Sequence, residues 1–287
     1  MTPSRALVAN RSVRLGLALL LPLLLGAIMS PLLSGALPHH FAATDLAHRY
    51  EPPGKEHLFG TDSLGRDVFA RMLRAARASM AVGLLSTALA GAIALCAGSL
   101  AGYYGGATDF TLSRLIEIVL SFPTLFIILA LLGADPPLLR HVSDLARITL
   151  VVGMIGWTGM ARHLRAEFLK WRAMDFVQAA RAAGASDLRI ILRHILPNSL
   201  APLLVSAAFF VAQAILLEAA ISFLGFGIQP PEPSWGSMLA EAEEAVAEGW
   251  WLALFPGGAL FLSVLGCNLI GEGLRQALDP RGFEPGP

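Results

Sequence analysis

The segment at residues 175–187 reads DFVQAARAAGASD and lies in a charged stretch between two apolar ones. Its alanines favour a short helix, because Ala has the highest helix propensity. Gly184 follows where that helix must end, a position that favours a left-handed backbone. Ser186 can cap a second helix by accepting hydrogen bonds from its first N–H groups. The sequence therefore predicts two short helices around a bend, the second spanning 188–196 and ending at Pro197.

The composition around this segment is that of a membrane protein. The chain is 55% hydrophobic and 15% charged, with a mean hydropathy of +0.63, whereas soluble domains average about 25% charged residues. A transmembrane helix needs about 20 mostly apolar residues. Apolar runs of this kind predict six spans, at residues 15–44, 78–108, 118–134, 147–162, 194–217 and 249–271. The fourth is short and crosses the membrane only if the Arg147 side chain extends to the interface.

The distribution of charge predicts the orientation, since short cytoplasmic loops are enriched in Lys and Arg. The first fourteen residues carry three arginines and no acidic residue, and residues 162–193 carry seven basic against three acidic residues. Residues 232–248 carry five glutamates and no basic residue. We therefore expect an all-α integral membrane bundle of six helices with both termini and the 162–198 loop in the cytoplasm. The segment 45–77 resists this rule, because it would lie outside yet holds six basic and five acidic residues.

The 162–198 loop resembles the cytoplasmic signature of ABC importer permeases, which reads Glu-Ala-Ala, three residues, Gly, nine residues, Ile, any residue, Leu-Pro. The spacing is kept, with Gln178 in place of Glu and His194 in place of Ile. With these two substitutions the signature resembles that of the peptide/nickel uptake branch of the family. The resemblance implies that this loop couples the permease to an ATPase subunit. The implied coupling residues are Gln178, Ala179, Ala180, Gly184, Ala185, Ser186, Leu196 and Pro197.

Three further stretches resemble the C-type permease subunit of the same branch. They are residues 57–71 before the second span, residues 221–236 in the outer loop after the fifth, and residues 271–281 in the C-terminal tail. The prolines of the second stretch predict a rigid, non-helical loop. The chain accordingly divides into an N-terminal region, 1–77, with the first span, and a permease core, 78–287, with the other five.

The motifs exclude one enzyme class. No Gly-x4-Gly-Lys-Ser/Thr loop occurs in the sequence, so we do not expect the chain to hydrolyse ATP or to need a cofactor. The resemblance implies two ABC ATPase subunits, a second homologous permease in a heterodimer and a periplasmic or lipid-anchored solute-binding protein as partners. Membrane lipid is expected and nucleic acid is not. Di- or oligopeptides are the implied substrates, with nickel complexes and glutathione as alternatives.

Two alternatives are a membrane-embedded enzyme, for which no convergent polar cluster is evident, and a secondary transporter. Such proteins usually show internal repeats with paired broken helices, and no convincing repeat is visible. Glu117 and Glu218 are candidate pathway residues in either reading, because charge at membrane depth is costly and often functional. The alternative for Glu117 is an interfacial pair with Arg114, one helical turn away. The alternative for Glu218 is a side chain that simply faces outer water.

Other side chains have structural explanations. Cys96 and Cys267 lie in apolar runs and are expected to be buried thiols. His39, His40 and His48 suggest nickel, but adjacent histidines in one loop seldom form a site without further ligands, so no metal site is predicted. The glycines of the second span are expected to permit close helix packing: Gly83, Gly91, Gly98 and Gly102.

Overall fold

The fold is helical, as predicted. The computed structural model describes residues 10–33, 41–245 and 247–278, and within these ranges the chain has no β-strand. The helices are α1 (Arg11–Leu33), α2 (Val68–Tyr104), α3 (Gly106–Leu120), α4 (Thr124–Gly133), α5 (Asp144–Arg172), α6 (Asp175–Ala182), α7 (Asp187–Phe223), α8 (Trp235–Glu244) and α9 (Trp251–Leu278). The proposed division at residue 77 falls inside α2.

Among the described residues, α1, α2, α7 and α9 are long and apolar enough to cross a membrane. The pair α3 and α4 adds a fifth if it is one broken span, because the two helices meet at 82°. The break lies at residues 121–123, where Pro123 disfavours the helical conformation of the residue before it. The predicted third span is therefore two helices. Because α5 falls outside this apolar set, the count of six spans stays a prediction.

Burial explains why α5 can be less apolar than its neighbours. It runs along α2, and its side chains Ile148, Val152 and Phe168 are fully buried in one core cluster. A helix surrounded by other helices presents little surface to lipid, so polar residues on its remaining faces are tolerated. This cluster continues to the inner loop through Ile190.

Glycines set the distance between α2 and its neighbours. A Cβ added at Gly98 or Gly102 would lie 2.8 Å from a backbone carbonyl oxygen of α5, and one at Gly83 would lie 2.6 Å from the Ile215 side chain. The packing role predicted for these three glycines is confirmed. The same prediction is wrong for Gly91, which has nothing within 4 Å.

A second core cluster joins α1, α9 and the later half of α7. Trp235 and Ile215 are fully buried in it. Cys267 is buried here as well, as predicted, whereas Cys96 is exposed on α2. The prediction for Cys96 is wrong because apolar sequence on both sides of a residue does not tell which face of the helix it occupies.

The two ends of the bundle are covered by different parts of the chain. At one end, Trp251 Nε1 donates to the Thr61 carbonyl at 3.1 Å and Phe59 stacks on Phe255. At the other end lie α6 and the loop around it, and Asn10 Nδ2 donates to Gln276 Oε1 at 3.0 Å. We call these the outer and inner ends, after the predicted orientation, which itself stays a prediction.

The structure corrects the expected break at Pro197. The second coupling helix and the fifth span form one helix, α7, of 37 residues. Its residues Ile190–Ile195 adopt a π-helical turn, and Pro197 lies in the first turn of the α-helix after it. The wider turn relieves the clash that a proline makes with the preceding α-helical turn.

The outer loop agrees with the prediction only in part. Residues 224–234, which hold its three prolines, are non-helical, but α8 follows at once. Ser234 accepts from the Ser237 N–H, and the Ser237 hydroxyl accepts from the Ser234 N–H, which caps α8 at its start. The sequence analysis missed this helix.

Candidate functional site

The bend at the inner end is fixed by backbone hydrogen bonds. After α6, the Gly184 N–H donates to the Arg181 carbonyl at 3.0 Å and the Ala185 N–H donates to the Ala180 carbonyl at 3.1 Å. This pair of bonds is the one that ends many helices at a glycine. Gly184 has φ +81°, a conformation that costs a residue with a Cβ about 1–2 kcal/mol. The left-handed bend predicted at Gly184 is confirmed.

Six of the predicted coupling residues, 178–180 and 184–186, lie at this bend, and Leu196 and Pro197 lie further along α7. We call these eight residues the coupling surface. Its exposed members are Gln178, Ala179, Gly184, Ser186 and Pro197, and its half-buried members are Ala180, Ala185 and Leu196. Ser186 is the N-cap residue, as predicted, but its side chain makes no capping bond. Gln178 Nε2 donates to the Arg172 carbonyl at 2.9 Å, so the side chain that replaces Glu holds the start of α6.

Apolar side chains anchor the underside of the coupling surface. Val177 on α6 and Ile190 and Ile195 on α7 are fully buried, and all three belong to the α5 core cluster. On the opposite side, Phe176 and Leu188 are 42% and 65% exposed. The loop is therefore held firmly from below and presents both small and apolar side chains outward.

Tyr103, at the end of α2, ties the two halves of the loop together. Its hydroxyl donates to Asp187 Oδ1 at 2.6 Å and accepts from Arg181 Nη2 at 3.3 Å. Its carbonyl accepts from Arg172 Nη1 at 2.8 Å. The sequence analysis missed Tyr103, and the available signal was weak: a tyrosine pair before two glycines at the end of a predicted span.

The two glutamates proposed for the pathway lie in different surroundings. Glu117 pairs with Arg114 at 2.5 Å on the surface of α3, and both side chains are about 60% exposed. The pair with Arg114 is confirmed, whereas its place at the membrane interface and a pathway role for Glu117 stay predictions. The expectation that Glu218 faces outer water is wrong, because its residue is 0% exposed. Its carboxyl group accepts from Ser79 Oγ at 2.8 Å and from Ser222 Oγ at 2.7 Å.

A buried ion-pair network explains the segment that resisted the charge rule. Arg71 donates to Asp62 at 2.5 Å and to both carboxylate oxygens of Glu241 at 2.6 and 2.7 Å. Arg66 donates to the same two acids at 2.7 and 2.8 Å. These two arginines thus pair with acidic residues of the same end of the bundle, while the side of the membrane on which the segment lies stays a prediction. We call these four residues the outer network.

The centre of the outer network is buried and fully hydrogen-bonded. Asp62 and Arg71 are 3% and 4% exposed, and Asp62 Oδ1 also accepts from the Leu64 and Arg66 N–H groups. A second pair, Arg74 with Glu232, is bidentate at 2.6 Å and more exposed. The bond from Arg74 holds the pKa of Glu232 below its usual value.

The histidines give no metal site in the described part of the chain, where no group of three His, Cys, Asp or Glu side chains could hold an ion. His48 Nδ1 instead lies 2.8 Å from Asp45 Oδ2. His39 and His40 lie outside the described residues, as do residues 279–281 of the tail stretch.

This arrangement defines a class: a polytopic helical membrane protein with a well-anchored loop of small exposed residues at one end. Residues 94–283 match the family described as "Binding-protein-dependent transport system inner membrane component". The chain belongs to that family and is a multi-pass inner-membrane protein.

Curated relatives match almost the whole chain. A protein of Brucella abortus, provisionally named a peptide transport system permease protein, is 44% identical over 97% of this chain and 90% of its own length. The dipeptide transport system permease protein DppC of Alkalihalophilus pseudofirmus is 38% identical over 96% of this chain and 88% of its own length. The oligopeptide transport system permease protein OppC of Mycobacterium tuberculosis is 37% identical over 96% and 94%.

The fold has a solved counterpart. A chain of the MetNI methionine ABC transporter, in a structure of its inward-facing conformations, aligns with a TM-score of 0.56 and 16% identity. The alignment covers 72% of this chain and 95% of that one. At this identity the likeness shows that the two chains share a fold.

Proposed function

We propose that this chain is a permease subunit of an ATP-driven importer that moves di- or oligopeptides. The observation that carries the proposal is the coupling surface, a bend of small exposed residues anchored by Val177 and tied to α2 by Tyr103. Small side chains permit the backbone of another protein to approach closely. The names of the three relatives above, which refer to peptide, dipeptide and oligopeptide transport, support peptides as the substrate class.

In this proposal the energy comes from partner subunits. Two ABC ATPases close when they bind ATP and push on α6 and the start of α7. The spans then move as rigid bodies between two states, which is a common form of conformational switching. The chain itself does not hydrolyse ATP.

A second permease completes the pore in this proposal. The helices α3 and α4 carry apolar side chains that the rest of the described chain leaves exposed, including Phe110, Ile118 and Phe126 at 61–67% exposure. A face of this kind suits either lipid or another apolar helix. A solute-binding protein outside the membrane delivers the peptide.

The first experiment is co-purification of the tagged chain from native membranes, with mass spectrometry of the proteins recovered. Recovery of two ATPases, a second permease and a binding protein is the expected result. The purified complex should then take up a labelled dipeptide into liposomes only when ATP is present. A chain that transports substrate without an ATPase would overturn the proposal and favour an ion-coupled transporter.

A further inference from the structure

An open cavity of about 370 Å³ lies beside the break between α3 and α4, lined by the end of α3, the start of α4, and α5 and α7. None of the described residues that line it is Asp, Glu, Lys or Arg. Its polar groups come from Thr124, Thr158, His163, Ser206 and Gln213. Neither Glu117 nor Glu218 contributes to this wall. The cavity is thus polar without carrying a fixed charge.

Gln213 lies at a depth in the membrane where an unpaired polar side chain is costly. It lies ten residues before Phe223, the end of α7, which is about 15 Å at 1.5 Å per residue. This is about half the thickness of the hydrocarbon core. Its side chain is exposed, and no described residue hydrogen-bonds to its amide. A polar group at membrane depth is tolerated where it faces a water-filled cavity or a polar partner.

The hydrogen bonds of Ser206 fix how His163 faces the cavity. Ser206 Oγ donates its one hydrogen to the Pro202 carbonyl at 2.9 Å. The same oxygen lies 2.8 Å from His163 Nδ1, so the neutral ring carries its hydrogen on Nδ1 and donates it to Ser206. The other ring nitrogen, Nε2, is then a hydrogen-bond acceptor without a partner among the described residues.

The remaining wall is apolar and accommodating. Phe209, Val205 and Met160 line it together with Gly156 and Gly159. Apolar walls with a few polar groups are typical of sites that bind organic ligands. A primary amide both donates and accepts, as a peptide group does, and a neutral imidazole accepts from an N–H. These groups therefore match the backbone of a peptide and are indifferent to its side chains.

We propose that this cavity is a peptide contact site of the translocation path, in which the Gln213 amide and His163 Nε2 hydrogen-bond the backbone of the passing peptide. The inference rests on the proposed function and adds to it a site within this chain. It also accounts for the absence of charge from the described wall, because a charged wall would hold some peptides too tightly and repel others.

The first test is uptake of radiolabelled dialanine by the full complex in liposomes. Gln213→Leu should lower the initial rate about three- to tenfold, the factor expected for one or two lost hydrogen bonds. Gln213→Asn, which keeps the amide, should recover part of the rate. The matched control is Gln276→Leu, the same change at an exposed site at the inner end, which should transport normally.

ATP hydrolysis by the same complexes separates this proposal from the proposed function. A wild-type complex that moves no peptide would overturn both conclusions. A wild-type complex that transports, together with a Gln213→Leu variant that transports equally well, would overturn the contact site alone. The expected result is slow uptake with unchanged ATP hydrolysis, which a variant with damaged assembly would not give.

A second measurement does not depend on transport. In a background without Cys96 and Cys267, Gln213→Cys should react with a water-soluble maleimide, and added dialanine should slow the reaction. Phe261→Cys, at an apolar site on α9 that is 65% exposed, should stay unlabelled because its surroundings are lipid. Failure to label Gln213→Cys would place this side chain against lipid or the second permease and would overturn the proposal.

Discussion

At the outer end of the bundle a network of charged groups is buried, and at the inner end the proposed functional groups lie on the surface. Asp62 and Arg71 are 3% and 4% exposed and fully paired, whereas Gln178 and Ala179 lie on the surface. Both ends contain a helix terminated by a left-handed glycine, Gly225 outside and Gly184 inside. The polar groups of the outer network therefore stabilise the fold, whereas the coupling surface is held in place from beneath and remains accessible to another protein. Substitutions in the outer network should therefore lower stability, whereas substitutions at the coupling surface should lower transport.

Removing a charge from the outer network should produce the largest effect. Arg71→Ala removes the more buried of the two arginines that pair with Asp62 and Glu241 and leaves only Arg66 beside them. Removing one partner of a buried ion pair costs about 3–5 kcal/mol. We expect a large fall in the Tm of the detergent-purified protein, with little intact protein recovered. Arg114→Ala is the control, because it breaks an exposed pair and should change the Tm little. Equal Tm values for the two variants would contradict the burial argument.

A substitution at the inner glycine should spare the fold and abolish function. Gly184→Asp places a side chain at φ +81° in open space, so the strain is about 1 kcal/mol and the protein should still insert. Uptake by the reconstituted complex should be lost, because both the bend and the coupling surface change. Gly225→Asp is matched to it, with φ +83°, open space and the same pattern of helix-ending bonds. It should show the same small fall in Tm but keep uptake. Loss of uptake in both variants would contradict a specific role for the inner bend in coupling.

A smaller effect is expected at the tyrosine that ties the inner loop to α2. Tyr103→Phe removes the hydrogen bond to Asp187, which is worth about 1 kcal/mol. Uptake should fall severalfold while the amount of assembled complex stays the same. The adjacent Tyr104 is 52% exposed, so Tyr104→Phe provides the control and should match the wild type. Normal uptake by Tyr103→Phe would show that this contact does not position the loop.

The smallest effect is a pH dependence at the more exposed outer pair. Because Arg74 lowers the pKa of Glu232 in the folded protein, the pair stabilises the fold above the unfolded pKa of about 4.3. This contribution disappears as the pH falls through the lower, folded pKa. An exposed pair is worth about 1 kcal/mol or less. The Tm difference between wild type and Glu232→Gln should be small at pH 7 and should close as the pH falls through the lowered pKa of Glu232. A difference that persists in acid would contradict the ion-pair argument.

The features that sequence reasoning predicted well are local ones. Gly184 after an alanine-rich helix is a strong signal, because few other residues adopt a left-handed conformation there. The apolar runs likewise predict long helices, since membrane thickness sets their length. Pro123 carried an equally local signal for the break between α3 and α4, and that signal was overlooked.

The features that sequence reasoning missed depend on distant partners. Tyr103 meets Asp187 across 84 residues of chain, and no spacing rule predicts such a meeting. The alternative that Glu218 faces outer water failed because Ser79 and Ser222 supply its hydrogen bonds within the core. Pro197 was expected to interrupt a helix, and the π-helical turn before it could be found only in three dimensions.

Because α7 is continuous, one helix carries both part of the coupling surface and part of the proposed peptide contact site. Its first turns carry Leu188 on the side proposed to meet the ATPase, and Gln213 lies far along the same helix. A helix of 37 residues is a lever about 54 Å long, so a tilt of about 5° at one end would move the other by about 5 Å. In the proposed mechanism α7 moves as one body, so such a tilt would also change the width of the cavity. In this proposal, the same helix therefore contacts the peptide and transmits the movement of the ATPase.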